Sequence, residues 1–173
     1  MLHTGRVSLG VPLLVAVLLA GGAVAQGPQI VPDRLAAFEL ADQHGAAHRV
    51  DGSVRVLVLS RDMDGGAVVR GALERQGEAA AAFLAERGAV YVADVSRMPG
   101  LVRSLIAIPR MRGRPYAVLL DTTGETTAAL PSQEGRATVL WLEDLRPVRV
   151  ELLDSPDALL ERLGELPASP TAE

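Results

Sequence analysis

Two carboxylates, Asp62 and Asp64, stand directly after an uninterrupted apolar run at residues 56–59. The run has the length of a strand buried on both faces, and the glycines that follow Asp64 favour a turn that opens a helix near Ala67. In an open α/β sheet, reactive groups collect where a strand ends and the next helix begins. Asp62 and Asp64 are therefore the candidate catalytic residues. The same spacing also fits one helix cap beside a carboxylate that is solvated or paired with arginine.

Positive charge is concentrated between residues 95 and 120, an interval that contains five arginines and no acidic residue. The five are Arg97, Arg103, Arg110, Arg112 and Arg114. We predict that the last three lie in a loop, where bidentate guanidinium groups could hold a phosphate, a carboxylate or an acidic partner surface. Arg61 joins Arg110, Arg112 and Arg114 as a candidate ligand- or partner-binding residue. The alternative is that these arginines lie on a surface loop without a ligand, or form ion pairs with Asp62 and Asp64.

His44 and His48 are the only histidines after residue 25. Both have even residue numbers in a predicted hairpin, and alternate residues of a strand share a face, so the two would lie on one side. Asp42 could complete a three-ligand metal set there. Two histidines are a weak signal for a metal site, so we predict ordinary surface residues, no metal and no cofactor.

The hydrophobic pattern predicts one α/β domain at residues 35–166, after an irregular segment at 26–34 and before a disordered tail at 167–173. A β-hairpin (37–41 and 46–50) precedes the central strand. Later strands are predicted at 89–93, 116–120, 137–142 and 148–153, the last two as an antiparallel hairpin. Gly77 interrupts the helical phase at 69–87, which fits one kinked helix or two. A last helix has Ser155 as its cap and ends at Gly164.

One further helix is predicted between the strands at 89–93 and 116–120. Its apolar residues are spaced i, i+3, i+4, i+7 and i+8, which places them on one helical face. They are Met98, Leu101, Val102, Leu105 and Ile106. We expect this face to lie in the core and Pro109 to end the helix, because proline removes a backbone donor and clashes with the preceding turn.

Residues 1–25 have the parts of a secretory signal peptide: Arg6, an apolar core and the small-residue triplet 23–25. Cleavage after Ala25 would leave 148 residues and a periplasmic or secreted protein. The alternative is a retained membrane anchor, but the cleanly apolar part is only about half of the roughly 20 residues that a membrane span requires. We therefore expect no stable membrane span after cleavage.

The composition excludes several kinds of chemistry. The chain has no cysteine, so disulfides, thiol redox chemistry and thiolate metal sites are absent. It has no lysine, which excludes Schiff-base catalysis and a standard phosphate-binding loop. After cleavage, 16 arginines would stand against 21 acids, a net charge of −5, which is unlike a general nucleic-acid binder.

Two segments carry a resemblance to a known family. Phe38-x-Leu40-x-Asp42-x-x-Gly45 precedes the strand RVLVLS (55–60), and ATVLWLED (137–144) is followed by PVRVELL (147–153) and a helix. With this element order, the chain resembles the thioredoxin-like fold in its peroxiredoxin and periplasmic thiol oxidoreductase branch, especially the YtfJ-type group of secreted proteins. The resemblance implies an α/β three-layer sandwich that has a mixed central sheet and an N-terminal β-hairpin.

The resemblance also implies a reactive cysteine just after the central strand, at a helix start that lowers its pKa. This chain has RDMDG at that place, residues 61–65. The family's proline, usually cis and facing that cysteine, would fall at Ala137, or in another register at Pro115. The redox centre is therefore missing, and the family's activity does not carry over.

Two classes of enzyme are alternatives to a binding role. Asp62-x-Asp64-Gly after an apolar strand also resembles the first motif of haloacid-dehalogenase-type phosphohydrolases, which implies a nucleophile, a general acid and Mg²⁺. Gly66 stands where that family usually has threonine or valine, and its lysine is missing. A flavin-linked oxidoreductase is the other alternative, a label that similar sequences sometimes carry, although Gly65-Gly66 lacks the dinucleotide-binding glycine pattern.

The sequence therefore predicts a periplasmic or secreted, cysteine-free thioredoxin-like protein. We expect it to bind or support another envelope protein, or to hold a small anionic ligand, without thiol redox activity.

Overall fold

The structure is a computed structural model that describes residues 31–165. The predicted signal peptide (1–25), most of the predicted irregular segment and the predicted tail (167–173) lie outside these residues. Within 31–165, none of the helices is long and apolar enough to cross a membrane.

Seven strands form two sheets. They are β1 (Phe38–Ala41), β2 (Ala47–Val50), β3 (Val56–Ser60), β4 (Ala89–Asp94), β5 (Leu119–Asp121), β6 (Ala137–Glu143) and β7 (Arg146–Leu153). β1 and β2 pair as the predicted antiparallel hairpin, and the other five form a mixed sheet in the order β5-β4-β3-β6-β7. β3 pairs parallel with β4 and antiparallel with β6, and all five of its residues are buried. The predicted central strand and the predicted β6–β7 hairpin are confirmed.

Residues 31–165 also form five short helices and two irregular helical turns. They are α1 (Met63–Glu74), a 3₁₀ turn (Gly77–Ala79), α2 (Ala80–Glu86), α3 (Gly100–Val102), a π-helical turn (Arg103–Ala107), α4 (Ile108–Arg112) and α5 (Pro156–Gly164). α3, the π-helical turn and α4 follow one another without a break, and we call them the 100–112 helical segment. Gly77 has a φ of +53°, a left-handed conformation that glycine adopts readily, so the predicted 69–87 stretch is two helices.

The sheet lies between two apolar clusters because alternate residues of a strand point to opposite faces. Val56 and Val58 belong to the cluster that also contains residues of α1, α2 and α5. Leu57 and Leu59 belong to the second cluster, which contains Val50 of the hairpin and is packed against by other hairpin residues. Helices, sheet and hairpin thus form three layers, which is the architecture that the sequence predicts.

The 100–112 helical segment contradicts the predicted core helix. Met98 packs against the helix-side cluster, but Leu101 is 76% exposed, Leu105 70% and Ile106 46%, so most of the apolar face that was expected in the core points to solvent. The 100–112 helical segment instead packs through Ile108 and Met111, which touch the same cluster. In a regular helix Leu105 and Ile108 would share a face, and the π-helical turn that contains Leu105 and ends before Ile108 changes that register.

Pro109 does not end this segment. It occupies the first turn of α4, where a backbone N–H needs no partner within the helix. The π-helical turn comes just before it, so the regular hydrogen-bond ladder is already interrupted at the point where proline would break it. The prediction that residues 110–114 form a loop is therefore wrong for Arg110 and Arg112, which lie in the last turn of α4.

The strand predicted at residues 116–120 is shorter, because only β5 (Leu119–Asp121) pairs with β4. The buried side chain of Gln43 takes the place of a neighbouring strand before β5. Its amide nitrogen donates to the carbonyl oxygen of Tyr116 at 2.8 Å, and its amide oxygen accepts from the backbone N–H of Val118 at 2.8 Å. The backbone of this segment is thus satisfied by a side chain from the hairpin turn.

Candidate functional site

Asp62 is placed at the start of α1 by the end of β3, as the sequence predicts. It is the N-cap of the helix: its Oδ1 accepts the backbone N–H of Gly65 at 2.7 Å. Its Oδ2 accepts the backbone N–H of Gly135 at 3.1 Å. One carboxylate thus ties the start of α1 to the loop that precedes β6, and α1 begins at Met63 rather than near Ala67 because of this cap.

The loop at residues 135–136 covers the start of α1 closely. A Cβ atom added at Gly65 would lie 2.9 Å from the carbonyl carbon of Arg136 and closer still to its oxygen. Gly65 is therefore required by contact with the backbone of another segment. This contact leaves no space for a substrate group between the helix start and the loop.

Asp64 lies in the first turn of α1 and is exposed, where its charge is favoured by the helix dipole. Met63, next to it, is 81% exposed. The two candidate catalytic residues therefore differ: Asp62 is a cap with both oxygens engaged, and Asp64 is a surface carboxylate.

The guanidinium group of Arg61 bonds to groups inside the protein. It donates to the backbone carbonyl oxygens of Thr127 and of Leu130, the latter at 3.1 Å. It also lies 3.8 Å from the carboxylate of Asp94, and its side chain is 15% exposed. Burial lowers the pKa of Arg61, while the charge of Asp94 opposes that shift. Arg61 holds the 127–130 segment against the ends of β3 and β4.

Two further aspartates, which the sequence reasoning did not select as site residues, lie beside Arg61. Asp94 ends β4 and Asp121 ends β5, and parallel strands bring both to the same edge of the sheet. Asp121 is 1% exposed and accepts the backbone N–H groups of Gly124 and Thr127, each at 2.8 Å. Burial alone would raise the pKa of Asp121, but these hydrogen bonds outweigh it and hold the pKa below its ordinary value. The signal that could have found the cluster is an aspartate at the end of each strand.

The arginines at 110–114 have separate neighbours rather than one shared site. The Nε of Arg112 donates to the carbonyl oxygen of Gln43 at 3.0 Å. Arg110 is exposed, and no ion pair is formed by it or by Arg97 with any residue in 31–165. Arg114 carries a buried Nη1 atom that has no hydrogen-bond partner within the same range. Arg97, Arg110 and Arg114 are thus among the arginines that form no ion pair within residues 31–165.

The predicted histidine pair does not form a three-ligand set. Asp42 joins His48 through a 2.8 Å contact between Oδ2 and Nε2, and its Oδ1 accepts the backbone N–H of His44 and of Ala46. Burial would raise the pKa of Asp42, but the bond to His48 and the backbone bonds lower it overall. Among residues 31–165, no three histidine, aspartate or glutamate side chains are grouped so that they could hold a metal ion. These contacts shape the hairpin turn.

Comparisons with known proteins give the fold and no activity. No protein-family model matches the chain, and no curated protein matches it. Among solved structures, it is similar to a putative protein disulfide isomerase from Bacteroides thetaiotaomicron, at a TM-score of 0.52 and 12% identity, over 79% of this chain and 89% of that one.

Two further structures give the same result. StoA from Bacillus subtilis matches at a TM-score of 0.51 and 12% identity, over 78% of this chain and all of StoA. A putative thiol:disulfide interchange protein DsbE from Chlorobium tepidum matches at a TM-score of 0.50 and 14% identity, over 79% of this chain and 96% of that one. The thioredoxin-like fold is thereby confirmed in a chain that contains no cysteine. The YtfJ-type group is not specifically supported by these matches.

Proposed function

Because the chain has a thioredoxin-like fold without cysteine, we propose that it is a non-redox binding module of the cell envelope. It docks on an acidic, partly apolar surface of a partner protein through the 100–112 helical segment. The location in the envelope rests on the signal-peptide pattern of residues 1–25. The docking role rests on the exposed face of the helical segment.

The observation that carries this proposal is the exposure of four aliphatic side chains within six residues. They are Leu101, Val102, Leu105 and Ile106, which are 76%, 41%, 70% and 46% exposed. A single exposed leucine needs no explanation, but a contiguous apolar patch marks a surface that another molecule covers. The inner side of the same segment is already packed on the core through Ile108 and Met111. The outer side is therefore free to contact a partner.

Charge selects the kind of partner. The segment lies in the acid-free interval at residues 95–120, and Arg97 and Arg110 near its two ends form no ion pair within residues 31–165. Opposite charges across an interface favour the correct partner, and like charges disfavour a wrong one. The same face of a second copy would bring arginine against arginine. A protein that presents acidic residues around an apolar patch fits this surface.

The geometry at the start of α1 supports a binding role over the phosphohydrolase alternative. A carboxylate nucleophile needs an oxygen that can reach the substrate. Both oxygens of Asp62 accept backbone N–H groups, and the 135–136 loop packs against the same turn. Asp62 therefore acts as a structural link at the place where a thiol oxidoreductase would carry its reactive sulfur.

Photocrosslinking in intact envelopes tests this proposal. A photoreactive amino acid at Leu105 should give an adduct with one protein, whereas the same amino acid at Ala82, exposed on α2, should not. With the purified pair, Leu105→Ser and Arg110→Ser should each weaken binding by roughly tenfold, about 1.4 kcal/mol. Since Leu105 is mostly exposed, its replacement should change the free energy of unfolding by less than about 0.5 kcal/mol.

Several results would overturn the proposal. These are crosslinks to lipid rather than protein, equal adducts from both positions, or unchanged affinity in Leu105→Ser. Release of phosphate from a generic ester in the presence of Mg²⁺, abolished by Asp62→Asn, would establish the hydrolase instead. A yellow purified protein would establish the flavin-linked alternative.

A further inference from the structure

A second feature lies away from the 100–112 surface and does not depend on the docking proposal. It is a pocket of about 200 Å³ between the end of α1 and the chain that leads to β5. Leu73 and Glu74 line one side, together with the 3₁₀ turn that follows α1. Residues 113–116 line the other side, with Arg114 and Tyr116 among them.

Two hydrogen-bond donors in this pocket have no acceptor. The Nη1 atom of Arg114 and the hydroxyl of Tyr116 are both buried, and neither has a hydrogen-bond partner among residues 31–165. Tyr116 as a whole is 4% exposed. Buried polar groups in folded proteins almost always have a hydrogen-bond partner. A buried donor without one therefore indicates a binding position for a ligand, an ion or a water molecule. Here both belong to side chains that line one pocket.

The protonation states make both groups donors at neutral pH. Arginine keeps its positive charge and has no acceptor atom. Burial raises the pKa of Tyr116 to about 12, in spite of the charge of Arg114, so its phenol stays protonated. Burial also raises the pKa of Tyr91, against the effect of a hydrogen bond with Ser60 and of the charge of Arg114. Arg114 is thus fixed beside one buried tyrosine and faces a pocket lined by another.

The carboxylates around the pocket do not neutralise Arg114 through an ion pair. Glu74 lies 3.7 Å from Arg70 in an i, i+4 pair on α1. Glu78, on the 3₁₀ turn, is exposed. Arg114 therefore forms no ion pair within residues 31–165, although its side chain also donates to the hydroxyl of Tyr91, and the acidic groups at the edge of the pocket disfavour a large polyanion. A small ligand with acceptor oxygens and one or two negative charges satisfies both donors.

We propose that this pocket binds a small oxyanion, a carboxylate or phosphate group, between the guanidinium of Arg114 and the hydroxyl of Tyr116. The ligand receives a charge-assisted hydrogen bond from Arg114 Nη1 and a second hydrogen bond from the phenol. No residue of the docking surface takes part, so the anion-binding proposal and the docking proposal can be confirmed or refuted independently.

Titration of the full chain with inorganic phosphate and with acetate, at constant ionic strength set with chloride, tests the site by calorimetry and by amide chemical shifts. We expect saturable binding of at least one anion, with shifts centred on residues 73–78 and 113–118. Tyr116→Phe should weaken binding by roughly fivefold to tenfold, and Arg114→Gln by more than roughly tenfold, because the second loss removes charge as well as a donor. Arg146→Gln, at an exposed position at the start of β7, is the matched control and should bind as the unchanged protein does.

A thermal measurement keeps the test decisive if Arg114→Gln does not fold. The anion should raise the Tm of the unchanged protein and not that of Tyr116→Phe, because only a ligand of the folded state shifts the unfolding equilibrium. Without anion, Tyr116→Phe should be at least as stable as the unchanged protein, since it removes an unpaired buried hydroxyl. No saturable binding of either anion, or equal losses in Arg146→Gln and Arg114→Gln, would overturn the proposal. So would a crystal structure grown in phosphate that shows only water in the pocket.

Discussion

Gly65 and Gly66 are neighbours in the first turns of α1, and alanine at these two positions should have opposite effects. A Cβ atom at Gly65 would come within 2.9 Å of the carbonyl carbon of Arg136 and closer to its oxygen. A Cβ atom at Gly66 would meet only the Ser60 hydroxyl oxygen at 3.7 Å and the Tyr91 hydroxyl oxygen at 3.8 Å. The first contact is with backbone and requires a movement of the loop, and the second is ordinary van der Waals contact.

The expected magnitudes follow from these contacts. Alanine in place of glycine in a helix contributes about 1 kcal/mol of stability at either position. At Gly66 nothing opposes this gain, so the free energy of unfolding should rise by up to about 1 kcal/mol. At Gly65 the loop must move away, which costs about 1–3 kcal/mol for overpacking and about 1.5–3 kcal/mol for the bond between Gly135 and the Asp62 carboxylate. The net loss in Gly65→Ala should be about 1.5–5 kcal/mol.

Urea unfolding followed by far-UV circular dichroism measures both variants. Gly65→Ala should lower the midpoint and Gly66→Ala should raise it slightly, with the same dependence on denaturant in both. Because the two substitutions share the chemical change and the helix, the difference between them reports the loop contact. If Gly65→Ala is as stable as Gly66→Ala, the 135–136 loop does not cover the start of α1, and the interpretation of Asp62 as a structural link is wrong.

Three further predictions concern the buried polar groups. Asp62→Ala should lower the free energy of unfolding by about 2–5 kcal/mol, because it loses both the cap, worth about 0.5–2 kcal/mol, and the bond to Gly135, worth about 1.5–3 kcal/mol. Asp62→Asn keeps a capping oxygen but turns an amide N–H toward Gly135, so it should lose only the second part, about 1.5–3 kcal/mol; equal losses in urea unfolding would contradict this role. The pKa of Asp121 is lowered in the folded state, so its contribution to stability is present above its ordinary value of 3.8 and is lost as the pH falls through the lower folded value. Unfolding measured between neutral and acidic pH should therefore show a steeper acid loss in the unchanged protein than in Asp121→Asn, and parallel curves would refute it. The pKa of Tyr116 is raised to about 12 from 10.0, so its contribution is complete below pH 10 and declines as the pH rises toward 12. Ultraviolet titration should show one late-ionising phenol that Tyr116→Phe removes, and no change in that variant would contradict the assignment.

The elements that the sequence predicts correctly are those defined by local pattern. β3 is recognised as a central strand because an unbroken apolar run fits a strand that is covered on both faces. The β6–β7 hairpin is recognised because two such runs are joined by a short turn. A helix cap at Asp62 or Asp64 is indicated because a short polar side chain, placed where a strand gives way to a helix, can accept the N–H of the residue three positions later, and the structure gives this role to Asp62. Each of these signals lies within a few residues.

The features that the sequence does not predict depend on contacts between distant segments. Arg61 meets the carbonyl oxygen of Thr127, and Arg112 meets that of Gln43, across separations of 66 and 69 residues. Leu105 and Ile108 are three residues apart, which a regular helix would place on one face, yet Ile108 packs on the core and Leu105 is 70% exposed. The π-helical turn at residues 103–107 changes the register between them, and the apolar spacing along the chain does not predict that turn.

The sequence by itself determines which chemistry this protein can perform. A chain without cysteine or lysine has no thiol or amine side chain, whatever its fold, because folding rearranges functional groups and creates none. Tertiary structure decides where the remaining charged groups face. It binds both oxygens of Asp62 to backbone, directs Arg61 inward, leaves Arg110 at the surface and buries the Arg114 Nη1 atom without a hydrogen-bond partner among residues 31–165. The physical reason is that hydrogen bonding and burial depend on neighbours in space, and those neighbours come from segments far apart in the chain.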